Sequence, residues 1–389
     1  MIDPMALAFL CLILICLAAE RIRHERRLRR IPLRIHVNGT RGKSNVTRLI
    51  AAALRRSGIR TLAKTTGILP KLILPDGSEE TIRRRSPANI LEQMKIVKRA
   101  DRLNAQAIVV ECMALDPVLQ FISEAVMIRS TVGVITNVRP DHFEVMGGCL
   151  DDIAEALSQS IPAGGILVTG DRRYYPLFSD VASRRGSRAV LAGNPDPDGD
   201  DPPRGIHLFR ENIEIVRSVC LLLGLDPAVV DFCLEDVVVA GDGAGIFHIP
   251  FEGKAVHFLD AFSANDVEST RIIQERALAQ NACPRPWIAL FNNRADRPLR
   301  MKSFADDLLA GGPYDLIALT GEGRRLAERY LRGKVPEEKI IVLSDRAPRR
   351  LLKELLRDRA GRECTIVGMG NEKGRGASLS RLFREQGTR

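Results

Sequence analysis

Aromatic side chains are scarce in this chain: they make up 5% of 389 residues, with a single tryptophan, Trp287. Stacking platforms for single-stranded nucleic acid are therefore poorly supplied, and no nucleic-acid partner is expected. Cysteine occurs eight times, at positions 11, 16, 112, 149, 220, 233, 283 and 364, without one C-x-x-C pair. That spacing excludes a zinc ribbon or a disulfide framework, and the thiols read as scattered small apolar residues of a reducing compartment. No internal repeat is present. The 45% hydrophobic and 27% charged fractions exclude a collagen-like, wholly disordered or polytopic membrane chain, and the length predicts two or three domains.

Charge is unevenly spread. Of the net +10, half lies in residues 20–34, where seven arginines (Arg21, Arg23, Arg26, Arg27, Arg29, Arg30 and Arg34) face Glu20 and Glu25. Directly before them, residues 5–19 carry no charge at all, and extending to Met1 adds only Asp3. A secretory signal would place its basic residues ahead of the apolar run rather than behind it. Nineteen helical residues reach about 28 Å, near the ~30 Å of a bilayer core. The reading is one amino-terminal transmembrane helix, arginines cytoplasmic by the positive-inside rule, with the catalytic body on the cytoplasmic side of the cell membrane. A buried or interfacial helix is the competing reading.

Past this segment the pattern turns to alternating strands and helices. Residues 34–37 read as a strand, 38–43 as a tight loop, and Ser44 onward as an amphipathic helix closed by Gly58. The loop, Gly39-Thr40-Arg41-Gly42-Lys43-Ser44, has what triphosphate binding needs. Small residues turn backbone N–H groups to the anion, a lysine reaches the β/γ-phosphates, a hydroxyl serves Mg²⁺, and a helix amino terminus adds its dipole. The longer phosphate-loop spacing would require glycine at position 37, which is Val37. Two further apolar runs end in polar groups: residues 107–110 stop at Glu111, and residues 131–136 lead to Asn137, Asp141 and His142. Near-continuous apolar strands fit a parallel sheet covered on both faces. A carboxylate and an imidazole at two such strand tips are candidates to share a metal with the loop; each alone reads equally well as a solvated end or a capping residue.

These residues carry a resemblance. The motifs Asn38-Gly39-Thr40-Arg41-Gly42-Lys43-Ser44, Glu111-Cys112-Met113-Ala114 and Thr136-Asn137-Val138-Arg139-Pro140-Asp141-His142 are similar to those of the Mur ligase superfamily of ATP-dependent amide ligases. Three more stretches resemble the ligase subunits of bacterial poly-γ-glutamate synthases, the PgsB/CapB type. They are Lys64-Thr65-Thr66-Gly67 with Pro75-Asp76-Gly77, Asn89-Ile90-Leu91-Glu92-Gln93, and Val145-Met146-Gly147. The resemblance implies that Gly39, Thr40, Arg41, Gly42 and Lys43 cradle ATP, with Ser44 on a first Mg²⁺. It implies that Glu111 and His142 hold a second Mg²⁺, that Asn137 and Asn212 flank the nucleotide, and that Asp260 meets the ribose. Lys43, Glu111 and His142 are then the catalytic set. Implied partners are glutamate, the growing poly-γ-glutamate chain, and small membrane subunits of the same synthase; a homo-oligomer is left open.

The departures are as informative. Many Mur ligases use a carbamylated lysine after the histidine, and no lysine lies between His142 and Asp171 here. The arginine that meets adenine near the domain junction has no counterpart in residues 241–245. The separate domain for a nucleotide-linked sugar is also missing, which argues against a cell-wall precursor as substrate.

The expected fold is α/β. A transmembrane helix with its basic segment (1–30) precedes a Mur-ligase-like P-loop ATPase domain with a mostly parallel sheet (31–250). A smaller Rossmann-like domain (251–389) follows, with strands at residues 255–259, 287–291, 316–320, 340–343 and 365–367. Residues 192–203, rich in Gly, Pro and Asp, read as an exposed linker. Arg83, Arg84 and Arg85, and the cluster Arg294, Arg297 and Arg300, are candidate guides for a polyanion or else solvated surface charge. Two other functions stay open: another Mur-like ligase of the folylpolyglutamate or cyanophycin type, and a membrane-anchored ATPase that regulates a partner.

Overall fold

A computed structural model describes residues 4–66, 70–84, 88–193, 210–239, 246–264, 266–279, 283–344, 347–357 and 362–387. Gly67, Arg85, Asn265, most of the 192–203 linker and the 241–245 junction lie outside the described residues. The described residues fall into two units, one running to residue 193 and resuming at 210–239, the other beginning at 246.

The first unit opens with helix α1 (Pro4–Arg30), followed by strand β1 (Leu33–Asn38) and helix α2 (Lys43–Arg56). Then come β2 (Thr61–Lys64), β3 (Lys71–Ile73), β4 (Glu79–Thr81), helix α3 (Glu92–Arg102), β5 (Ala107–Glu111), β6 (Val132–Ile135), β7 (Ile166–Thr169) and β8 (Arg188–Leu191). These eight strands form one sheet in the order β4-β3-β2-β5-β1-β6-β7-β8. Pairing is parallel throughout β2 to β8, and β3 and β4 add an antiparallel edge. Every residue of β5 and β6 is buried, as their apolar runs required. β1 lies at the centre, where the chain first builds outward to one side and then to the other. The crevice beyond the carboxyl ends of β5, β1 and β6 is therefore the switch point at which open α/β sheets bind ligands.

The transmembrane expectation is corrected: among the described residues no helix is long and apolar enough to cross a membrane. The uncharged stretch, residues 5–19, supplies fifteen residues, about 22 Å of helix against a ~30 Å hydrocarbon core. Beyond it the same helix continues with charged residues and docks on the body. Leu28 and Ile31 enter a core shared with Ile96, Val97 and Ala100. The buried His24 ring bonds the Met127 carbonyl (Nε2···O 2.9 Å), and burial lowers its pKa. Arg27 and Arg30 reach Asp101 at 3.9 and 3.3 Å. The arginine-rich stretch is thus in part a docking surface, whereas Phe9, Leu12, Leu14, Ile15 and Leu17 stand more than half exposed.

In the second unit β9 (Ile246–Phe251), β10 (Lys254–Asp260), β11 (Trp287–Asn293), β12 (Leu316–Gly321), β13 (Ile340–Val342) and β14 (Glu363–Gly370) form a sheet ordered β13-β12-β11-β14-β10-β9. All pairs are parallel except β9 with β10. Apolar side chains cover both faces, with Trp287, Phe291 and Phe304 on one and Phe258, Leu351 and Phe383 on the other. This is the expected Rossmann-like layering.

Candidate active site

The loop between β1 and α2 turns because Gly39 and Gly42 adopt φ of +124° and +81°, a region glycine enters without steric cost. Space forbids anything larger: a Cβ on Gly39 would stand 2.0 Å from the Thr136 hydroxyl, and one on Gly42 2.3 Å from the Asn212 amide nitrogen. The segment after β6 clamps the loop. Asn137 accepts from the Thr40 hydroxyl (2.8 Å) and the Arg41 N–H (3.0 Å), and its carbonyl accepts from the Thr40 N–H (3.0 Å). Thr136 donates to the Arg41 carbonyl at 2.6 Å. Lys43 lies over the loop, donating to the carbonyls of Gly39 (2.6 Å) and Thr40 (3.3 Å).

Glu111, at the tip of β5 and 3% exposed, is the hub. Its carboxylate accepts from the Ser44 hydroxyl at 2.8 Å, the Thr66 N–H at 2.8 Å and the Thr66 hydroxyl at 2.6 Å. The Gln93 amide donates to its backbone carbonyl at 3.3 Å. Thr66 arrives here because β2 runs parallel beside β5, with Lys64 opposite Val110. Lys64 itself is fully buried and pairs with Glu92 at 3.2 Å, and Arg84 grips the same carboxylate through two bonds of 2.6 and 3.0 Å. Both partners' pKa values are lowered, for different reasons. Burial dominates at Lys64 and lowers its pKa against the pull of Glu92, whereas at the less enclosed Glu92 the cations outweigh burial and lower that pKa too.

His142 follows in a left-handed conformation (φ +44°). Its ring lies 3.7 Å from Asp141 and 3.8 Å from Glu144. The connection to the loop runs through Asp141, which pairs with Arg41 at 2.9 Å. Asn212, on helix Arg210–Leu222, is wholly buried, and among the described residues neither end of its amide has a hydrogen-bond partner. Such an orphan costs ~1–3 kcal/mol unless a ligand or water satisfies it. Asp260 belongs to the second unit, where it closes β10, is 2% exposed and faces Arg384 at 3.3 Å. Burial raises its pKa despite that arginine.

The structure thus joins Gly39, Thr40, Arg41, Gly42, Lys43, Asn137 and Asn212 around one loop, and Ser44 with Glu111 beside it. Thr66, Thr136 and Gln93 are site residues to which sequence reading assigned no role. Thr66 stood in a quoted motif, and its place one residue beyond a strand parallel to β5 was the available signal. Of the six arginines read as polyanion guides or solvated charge, three have partners within the protein: Arg84 is held by Glu92, Arg294 pairs with Asp296 at 2.5 Å, and Arg300 donates to Asn371 at 2.6 Å. The donor set fits a hard cation, since the Ser44 and Thr66 hydroxyls both contact the Glu111 carboxylate and all are oxygen groups. Among the described residues no group of three or more His, Cys, Asp or Glu forms a metal cage. Mg²⁺ needs none, because it takes one or two carboxylates and leaves its other positions to water and phosphate.

A parallel sheet, a lysine-bearing glycine loop and a strand-tip carboxylate on the loop serine define a Mur-ligase-type nucleotide site. Residues 37–219 match the Mur ligase middle domain, and residues 246–386 match the poly-gamma-glutamate synthase CapB C-terminal domain. The chain is 33% identical over 374 residues to PGA synthase CapB of Bacillus subtilis (strain 168), covering 94% of both. It is 31% identical over 373 residues to the capsule biosynthesis protein CapB of Bacillus anthracis, covering 93% of this chain and 79% of that one. The chain belongs to the CapB family of poly-γ-glutamate synthases within the Mur ligase superfamily. Its fold is shared, at 13% identity and a TM-score of 0.60, by a bifunctional folylpolyglutamate synthase/dihydrofolate synthase solved with Mn, AMPPNP and L-glutamate; the match covers 94% of this chain and 92% of that one.

Proposed function

We propose that this protein is an ATP-dependent amide ligase that polymerises glutamate through its γ-carboxyl group. The observation that carries this is the contact of Ser44, on the phosphate loop, with the buried carboxylate of Glu111, in a chain of the CapB family. A γ-carboxylate of the growing chain attacks the γ-phosphorus of ATP, the bond to ADP breaks, and an acyl phosphate forms. The amine of the next glutamate attacks that acyl carbon, loses a proton, and phosphate departs as the amide closes. Both reactants are anions, so the loop must supply positive potential. The backbone N–H groups and the α2 dipole do so, and Lys43 moves from the loop carbonyls to the phosphates.

Mg²⁺, when bound, screens the repulsion between triphosphate and acceptor carboxylate. Ser44 with Glu111 would hold one ion, and Glu111 with His142 a second. Thr40 and Asn137 keep the loop in shape, Asn212 offers its orphaned amide to the nucleotide, and Asp260 is assigned to the ribose. The exposed apolar half of α1 supports attachment to the cytoplasmic face of the cell membrane and contact with small membrane subunits of the same synthase.

The test is incubation of the protein with ATP, Mg²⁺ and labelled glutamate, followed by hydrolysis and linkage analysis of the product. A γ-linked polymer that vanishes in Lys43→Ala supports the reading; polymer formed by that variant at the parent rate overturns it. ATP hydrolysis independent of glutamate would favour a regulatory ATPase instead.

A further inference from the structure

Where the exposed apolar half of α1 ends, a cavity of about 250 Å³ opens between α1 and α3, lined by Glu20, Arg23, Arg27, Met94, Lys95 and Lys98. Four of these six side chains are cations. Arg27 has Asp101 at 3.9 Å, and Arg23 donates to the Ala19 carbonyl of its own helix at 3.2 Å. Among the described residues no carboxylate lies within 4 Å of the cationic groups of Arg23, Lys95 or Lys98. Their mutual repulsion is tolerated because Leu28, Ile31, Ile96 and Val97 pack α1 onto α3 beneath them. With Glu20 as the one carboxylate in the lining and Asp101 against Arg27, the wall still carries an excess of positive charge, and such a concave surface focuses potential on an anion.

The position of the cavity indicates which anion. Leu17 is 57% exposed and Ile22 49%, and such apolar surface is covered by lipid or by another apolar body. From Ala19, the last residue of the uncharged run, to Arg23 the helix rises ~6 Å. The headgroup layer on one side of a bilayer is ~5–8 Å thick. If the apolar half of α1 enters hydrocarbon, Arg23 therefore stands at the depth of the lipid phosphates, with Lys95 and Lys98 on the wall of the same cavity and Arg27 one turn further from the apolar run. We propose that the cavity binds the phosphate of an anionic lipid headgroup. The proposal rests on the membrane attachment put forward above and adds a defined headgroup site to it. A soluble polycarboxylate would use the same charges but would leave the adjoining apolar residues uncovered.

The full chain is floated with phosphatidylcholine vesicles and with vesicles that also contain phosphatidylglycerol. The comparison is the triple variant Arg23→Gln, Lys95→Gln, Lys98→Gln, whose fold is checked by circular dichroism and by unchanged glutamate-dependent ATP hydrolysis. The parent is expected to bind both vesicles and to prefer the anionic ones. The variant should bind neutral vesicles like the parent and lose about a hundredfold in affinity for anionic ones, near fivefold per cation. Parent binding to both vesicles without preference, or a preference that survives the triple change, overturns the headgroup site and leaves membrane attachment standing. Absence of the parent from both vesicles overturns attachment and site together. Release of the parent from anionic vesicles by soluble poly-γ-glutamate, with that polymer also failing to bind the variant, overturns the lipid in favour of the polymer.

Discussion

Glu111 accepts three hydrogen bonds on a buried carboxylate, so its charge is positioned before any ligand arrives. Glu111→Gln keeps the shape but removes the charge, and half-saturating Mg²⁺ in the glutamate-dependent assay should rise tenfold or more; a magnesium titration checks it. Gly42→Ala places a methyl against the Asn212 amide at a left-handed φ. It should cost ~1–3 kcal/mol of stability and weaken nucleotide binding together, read by thermal unfolding with and without ATP. The roles of Lys43 and Ser44 were legible because glycine spacing and a following amphipathic helix are local signals. Thr66 was not, because 45 residues separate it from Glu111 and only the parallel pairing of β2 with β5 brings them together.

At the scale of the element, α1 has two halves with different energetics. Leu28 is buried at 4% exposure and Leu14 is 56% exposed. Leu28→Ala should cost ~2–5 kcal/mol, whereas Leu14→Ala should change stability by less than ~0.5 kcal/mol; chemical denaturation of the two variants separates them. The charge step after residue 19 was visible in composition. That the arginine half docks was not, since its partners, Asp101 and Met127, come from distant parts of the chain. Arg84 carries the same lesson: a basic run reads as surface charge until the fold supplies Glu92.

Across the whole molecule, stability depends on pH through a buried histidine beneath the phosphate loop. His36, buried in β1, bonds Glu124 at 2.8 Å. Burial opposes its charge, but Cys112 and Glu124 outweigh that and raise its pKa to about 10. The folded state thus holds this proton more tightly than the unfolded chain, whose histidine titrates near 6.5. The stabilisation is complete below pH 6.5 and is lost as pH climbs towards 10. Calorimetry of the parent should show a transition moving to lower temperature over that range, and His36→Gln should flatten it. With two units in the chain, the transition is read as a curve and not as one two-state temperature.

The amino-acid sequence by itself determined the α/β class, the positions of β1, β5, β6 and β10 to β14, the phosphate loop and Glu111. All of these rest on local periodicity and on residue types with a single steric or chemical use. Only the tertiary structure decided that the later half of α1 docks on the body through His24, Arg27, Leu28 and Arg30, that Thr66 and Gln93 serve Glu111, and that Lys64 lies buried against Glu92. Those outcomes depend on strand order and on burial, which bring together side chains that no spacing in the sequence relates.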